Sequence, residues 1–360
     1  MSETVGPTMV GPDHSAPDLS GRVFDQTLAL MESAAIWLGG RLGWYAALRD
    51  GGPLTAADLA IRTQSDARYA QEWLAQQATA GILVLDGDRY TLPGGHAEAL
   101  LDRDSVWWTE PLLRQMMAAV LRLPELEHAY RTGTGLSWSD YGADMSQAQG
   151  DVNRPALLHT LPEEWVPQIP GLMTRLGSGA RVADICCGHG WAAIGLALAH
   201  PGITVDGYDL DGPAIEQARR NAVAAGVGDR VRFHHLDVSN PLPEDGYDVV
   251  IAVECLHDLP DPVGVLQVMA GAGADDAVVL VVEMAADPEL RTPGDEIQRA
   301  LYGFSLLVCL PDSRSVDRSV ASGTLLRPAV LDDYARRGGF AGATALDLPD
   351  TGFWRFYRLR

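Results

Sequence analysis

The chain contains no lysine. All 27 of its basic residues are arginines, set against 48 acidic residues, and the net charge is −21. A surface this acidic repels the phosphates of nucleic acid and of anionic lipid, so partners held by phosphate neutralisation are excluded. Cysteine is scarce as well: Cys186, Cys187, Cys255 and Cys309, with no Cys-x-x-Cys spacing. That rules out a disulfide framework and indicates reduced thiols. No apolar run approaches the roughly 20 residues that a membrane-spanning helix requires. The first 20 residues lack the basic start and apolar middle of a secretory signal. They are rich in Gly, Pro, Ser and Asp, and are expected to form a disordered leader (1–20) on a cytoplasmic protein.

What remains is 360 residues, 47% hydrophobic, enough for two domains with cores of their own. The spacing predicts helix over 22–48, broken at Gly39-Gly40. LTAADLAIRTQ starts at a Thr55 cap with Asp58 three residues on, and a second helix follows from a Ser65 cap. ILVLDGDRYTLP then predicts a hairpin turning at Asp86-Gly87. Helix, helix, hairpin describes a winged helix, placed at 21–100. Between Pro53 and Leu92 it carries five acids and three arginines, a net −2, which does not suit DNA binding. A folding or dimerisation role fits better.

Residues 101–178 predict a helical linker, with a break near Pro124. Within it, 133–161 is rich in Gly, polar residues and aromatics, and is expected to be an ordered but irregular active-site lid. From Gly179 strands and helices alternate, with strands near 181–186, 203–208, 231–236, 247–253 and 277–283 and two more closing the chain. The fold class is therefore α/β, a Rossmann-like doubly wound sheet over 179–360 behind an N-terminal helical domain.

The chemistry concentrates in ARVADICCGHGWAAIGLALAH, residues 180–200, a strand, a glycine turn and a small-residue helix. Such a turn sets bare backbone N–H groups and a helix N-terminus against a ligand. Gly188-x-Gly190-x-x-Ala193 matches a dinucleotide fingerprint, and Asp209 follows Gly190 by 19 residues, so a nicotinamide cofactor is one reading. Asp184 argues for another. It stands where the strand enters the turn, and a carboxylate there repels a pyrophosphate but attracts the ammonium and sulfonium of S-adenosylmethionine.

The stretch VADICCGHG resembles the first motif of class I S-adenosylmethionine-dependent methyltransferases, an acid followed by three alternate glycines. Asp184 is the acid, Gly188 and Gly190 are the second and third glycines, and Cys186 stands in place of the first. The resemblance continues through VDGYDLD, FHHLDV and YDVVIAVECLHDLPDP. It implies that Asp209, with Leu210 beside it, meets the ribose hydroxyls, and that Asp237 and Val238 meet the adenine. It also implies a seven-stranded sheet with one antiparallel strand, and dimerisation through the winged helix, as in bacterial enzymes that modify small natural products.

Each assignment has a plainer alternative. Asp209 and Asp237 are also suited to strand-end turns. His257 and Asp258 follow the fourth strand at the sheet's carboxyl edge; His257 is either a general base or part of a helix start. Glu254 faces either cofactor or acceptor, and Glu283, ending the fifth strand, is equally open. Cys186, Cys187, His189, Cys255 and His257 all lie at strand ends, but adjacent cysteines on a strand point to opposite faces. No metal is therefore expected. The expectation is a methyltransferase that binds S-adenosylmethionine, releases S-adenosylhomocysteine and acts on a small aromatic acceptor. That acceptor is expected between the sheet edge, residues 133–165 and residues 290–310. The competing classes are an NAD-dependent oxidoreductase and a cofactor-sensing winged-helix regulator.

Overall fold

The computed structural model describes residues 15–360. Of the expected leader, 1–14 lie outside the described residues, and 16–20 are not a leader but the first turns of a helix. The chain divides into two compact units, residues 1–102 with 107–113, and residues 103–106 with 114–360.

In the first unit, α1 (Ala16–Arg41) starts from a Ser15 cap and continues unbroken through Gly39-Gly40. Gly39 is there for packing. A Cβ on Gly39 would lie 2.3 Å from the Trp73 ring, so only glycine lets the helix approach the indole that closely. The break falls later, at Leu42-Gly43, before α2 (Trp44–Gly51). α3 (Ala56–Thr63) has the expected reciprocal Thr55–Asp58 cap. α4 (Ala67–Thr79) is capped by Asp66, which accepts from the N–H groups of Arg68 and Tyr69. Ser65, the expected cap, instead accepts from the Trp44 indole at 3.1 Å. β1 (Val84–Asp86) and β2 (Arg89–Thr91) form the hairpin, with Asp86 opposite Arg89 and Gly87-Asp88 at its tip. α5 (Gly94–Leu101) follows. Trp44, Tyr45, Leu59, Trp73 and Leu74 fill the core between these elements.

α6 (Glu110–Val120) leads into the second unit, and Pro124 occupies the first turn of α7 (Leu123–Thr132), so the expected break lies just before it. The segment expected to be irregular is helical from Trp138 on, apart from Gly142. α8 (Ala143–Pro155) runs into a wide π-type turn over Ala156–Trp165. Ser146, Gly150, Asp151 and Asn153 lower the helix propensity of α8, and tertiary contacts supply what propensity does not. The carboxylate of buried Asp151 takes Arg103 at 2.7 Å and also pairs with Arg114.

After α9 (Leu172–Gly177) the sheet begins: β3 (Arg181–Ile185), α10 (Trp191–Ala199), β4 (Thr204–Asp209), α11 (Gly212–Ala224), β5 (Val231–His235), β6 (Tyr247–Val253), α12 (Pro262–Ala272) and β7 (Gly273–Met284). The insert adds α13 (Glu296–Phe304), a π-type turn over Ser305–Cys309 and α14 (Leu310–Ser313). α15 (Pro328–Arg337), β8 (Ala343–Ala345) and β9 (Trp354–Leu359) close the chain. The strand order is β5-β4-β3-β6-β7-β9-β8. β9 alone is antiparallel, inserted between β7 and β8. The strands are fully buried runs (Val182 to Ile185, Val249 to Ala252, Val278 to Val282) covered on both faces by helices. The chain winds outward from β3 to β5 and then returns to β6 on the other side. The crevice at the carboxyl ends of β3 and β6 is the topological switch point, where open α/β sheets bind ligands.

Candidate active site

The turn after β3 is built from backbone conformations that ordinary residues avoid. Cys186, Gly188 and Gly190 all have positive φ, at 57°, 52° and 79°. Cys186 therefore sits in a left-handed conformation that favours glycine, which gives a physical reason for glycine's usual place there. A Cβ on Gly188 would meet nothing within 4 Å, leaving open space over the turn. A Cβ on Gly190 would lie 2.3 Å from the Phe233 ring. Replacing Gly190 with alanine combines a left-handed cost of about 1–2 kcal/mol with overpacking of about 1–3 kcal/mol. A melting-temperature fall of several degrees, measured by calorimetry, is the expected result.

Asp184 ends up fully buried beneath this turn. One side of its carboxylate accepts the Ala193 N–H at the start of α10, while Oδ2 is sealed from solvent without a partner. Burial raises its pKa to about 7. A buried carboxylate oxygen without a donor, beside an open glycine turn, fits a cationic group of a ligand. Asp209, ending β4, is held by backbone: Gly188 N–H donates to Oδ2 and Asp211 N–H to Oδ1, each at 2.8 Å. Burial pushes its pKa up. Each oxygen still has a lone pair for a hydroxyl.

The other cofactor candidates are more mixed. Asp237 is exposed and accepts the Ser239 N–H at 2.9 Å, so it makes the strand-end turn that was its plainer reading. Val238 is buried in the core beneath. The Leu210 side chain is exposed, and its carbonyl lies 2.9 Å from His235 Nε2. Glu254 is held by three side-chain donors. At φ 52°, it accepts Asn153 Nδ2 at 2.7 Å and Gln149 Nε2 at 3.3 Å, and it also takes the Trp354 indole N–H. It ties α8 and β9 to the end of β6. Burial raises its pKa to about 7.

Past Glu254 the chain makes a tight turn, Asp258 N–H donating to the Cys255 carbonyl, that buries His257. His257 Nδ1 lies 2.5 Å from Oε2 of Glu283, which ends the neighbouring strand β7 and is completely buried. His257 Nε2 lies 3.4 Å from Asp258 Oδ1. Burial by itself would lower the imidazole pKa, but the Asp258 and Glu283 carboxylates outweigh it and hold the net value well above the usual histidine range. Burial raises the Asp258 pKa. The turn after α13 brings the Cys309 thiol within hydrogen-bond reach of His257, and burial pushes that thiol up to about 12. None of the sequence patterns linked Glu283 or Cys309 to His257, because 26 and 52 residues separate them.

The segments expected around an acceptor do meet. Tyr141 and Met145 pack with Val308 and Cys309 in one apolar cluster. Tyr141 donates to the Leu307 carbonyl at 2.7 Å, and the Trp138 N–H to Asp312 at 2.7 Å. α8 also reaches the cofactor turn, with Ser146 Oγ 3.3 Å from Asp211 and 3.5 Å from His189 Nε2. Ser146, Gln149 and Asn153 were not legible as site residues, although all lie on one stretch of α8.

The strand order and the glycine turn are those of the class I methyltransferase fold. Residues 182–272 match the family described as "Methyltransferase domain". Among curated relatives, the 27-O-demethylrifamycin SV methyltransferase of Amycolatopsis mediterranei is 40% identical over 90 residues, 25% of this chain and 33% of that protein. The chain thus spans about a third of that relative's length. Two solved structures share the fold along nearly all of the chain. One is an O-methyltransferase from Nostoc punctiforme, with TM-score 0.74 and 20% identity, covering 97% of this chain and 100% of that one. The other is an O-methyltransferase from neocarzinostatin biosynthesis, solved with S-adenosylmethionine and 2-hydroxy-5-methyl naphthoic acid. It has TM-score 0.63 and 22% identity, covering 91% of this chain and 95% of that one.

Proposed function

We propose that the protein is an S-adenosylmethionine-dependent methyltransferase acting on a small aromatic acceptor of the natural-product kind. The observation that carries the reading is that adjacent strands of the sheet end in an unpartnered buried carboxylate at the glycine turn and a carboxylate-oriented histidine. The names of the relatives and structural neighbours, among them a rifamycin and a naphthoic acid enzyme, support the acceptor class.

When bound, the cofactor supplies a methyl group already activated on a sulfonium. Asp184 meets its ammonium, Asp209 its ribose hydroxyls, and Asp237 with the Val238 backbone its adenine. α8 and the 305–313 turn exclude water from the acceptor. Glu283 holds Nδ1–H of His257, leaving Nε2 to take the acceptor's proton as the acceptor forms its new bond to the methyl carbon. The S–CH₃ electron pair stays on sulfur, giving S-adenosylhomocysteine. Orientation alone is worth about 7–11 kcal/mol in such a displacement. Asp258, beside Nε2, stabilises the imidazolium.

Because Asp184 has a pKa of about 7 and cofactor binding uses its ionised form, affinity for S-adenosylhomocysteine should rise with pH up to about 7 and then level. Titration calorimetry at pH 6 and pH 8 should differ by about tenfold, one decade per pH unit below the pKa. An Asp184→Asn variant should show no such slope. Stabilisation by NAD in place of S-adenosylhomocysteine in a thermal-shift comparison would overturn the reading.

No helix among the described residues is long and apolar enough to cross a membrane. A cytoplasmic location is supported by the four unpaired cysteines. Homodimerisation through the first unit is supported by the apolar side chains exposed along α1, including Leu19, Phe24 and Met31. A monomer by light scattering counts against it.

A further inference from the structure

His257, Asp258 and Cys309 offer one nitrogen, one carboxylate oxygen and one sulfur, and these ligand atoms all lie within 4.8 Å of one another. Three features set the cluster apart from an ordinary polar contact. The imidazole is fixed through Nδ1 by a buried carboxylate, Glu283, so that Nε2 faces the other two groups. This is the arrangement in which a carboxylate orients a metal-binding histidine. Asp258 Oδ1 is sealed from solvent 3.4 Å from Nε2, and the Cys309 thiol hydrogen-bonds the same carboxyl group. Finally, two carboxylates flank the one imidazole, Glu283 on Nδ1 and Asp258 on Nε2. A buried excess of negative charge of this kind is relieved by a divalent ion.

We propose that His257, Asp258 and Cys309 form a zinc-class metal site beside the turn after β6, with a fourth position for a water or an acceptor oxygen. A thiolate and an imidazole select a borderline-soft ion over magnesium or calcium. Three protein ligands with one open position is the pattern of zinc sites that bind a water or substrate oxygen. Binding moves the Cys309 proton, and any proton on Nε2, to solvent. The thiolate and Asp258 carboxylate then balance the ion's two charges. Occupancy takes Nε2 out of acid–base chemistry, so zinc holds the enzyme in an inhibited, reversible state.

Cobalt(II) is the probe, because a thiolate ligand gives it a charge-transfer band in the near ultraviolet. The full-length protein is dialysed against a chelator and titrated with cobalt, without cofactor or acceptor, so that the result is independent of methyl transfer. The band should appear with one equivalent of cobalt and disappear when zinc is added. It should be absent from Cys309→Ser and retained by Cys187→Ser. Glu283→Gln should keep the band and weaken the site about 10–100-fold, as loss of an orienting carboxylate does. If Cys309→Ser does not fold by circular dichroism, Asp258→Asn decides instead, with the band kept and the affinity lowered. The proposal fails if the native protein gives no thiolate band. It also fails if the band survives in folded Cys309→Ser, or if Asp258→Asn binds as tightly as the native protein.

Discussion

Alanine in place of His257 should lower turnover by about 10²–10⁴-fold, the usual contribution of a positioned base, while leaving affinity for S-adenosylhomocysteine nearly unchanged. The separation follows from where the side chain lies. His257 is on the turn after β6 and reaches toward Glu283, while the groups proposed to hold the cofactor stand at the ends of β3, β4 and β5. Calorimetry with the product and steady-state turnover with an acceptor therefore report on different parts of the crevice. Truncation also leaves the completely buried Glu283 without its partner, and an uncompensated buried charge costs about 3–5 kcal/mol. A second variant separates the two effects. His257→Ala combined with Glu283→Gln removes the stranded charge, so the melting temperature should recover while turnover stays low. Turnover within about threefold of the native enzyme in either variant would remove His257 from the reaction. Since the two carboxylates raise its pKa, turnover in the native enzyme should climb with pH as the imidazolium loses its proton, and this limb should vanish from the alanine variant.

The alternation of apolar strands with small-residue helices made the sheet legible, because a parallel strand is buried on both faces and its sequence has no other use for such a run. β3, β6 and β7 accordingly fall within a few residues of their expected bounds. The glycine turn was legible for a similar reason, since Gly188 and Gly190 hold positive φ that their neighbours avoid. α8 was not legible. Its Gly, Asn, Asp and Ser content suggests a loop, and its helix rests on contacts from outside: two arginines on Asp151, and Glu254 accepting from Gln149 and Asn153. Gly39-Gly40 misled in the opposite direction, because the sequence does not reveal that an indole lies against Gly39. The histidine's partners were hidden by distance along the chain. Glu283 and Cys309 come to His257 only through the pairing of β6 with β7 and the packing of the 305–313 turn over the sheet edge.

Removing the Asp209 carboxylate, in Asp209→Ala, should weaken S-adenosylhomocysteine binding by about 10²–10⁴-fold. The proposed contact is a pair of charge-assisted hydrogen bonds to ribose hydroxyls, at about 1.5–3 kcal/mol each. The protein has arranged for the carboxylate to be available. Gly188 and Asp211 N–H groups occupy one lone pair on each oxygen, fixing the plane of the group. They favour the charged form against the burial that raises its pKa. The same bonds mean that the substitution acts twice, since it also frees the Gly188 N–H and loosens the turn over Asp184. Asp209→Asn distinguishes the two effects. An amide restores one backbone acceptor but turns its NH₂ toward the other N–H, so the turn is only half held and one ribose hydroxyl loses its acceptor. Its affinity should fall between the native and alanine values. If instead Asp209→Ala binds within about threefold of the native protein while circular dichroism shows it folded, the carboxylate serves the turn alone and the ribose is held elsewhere.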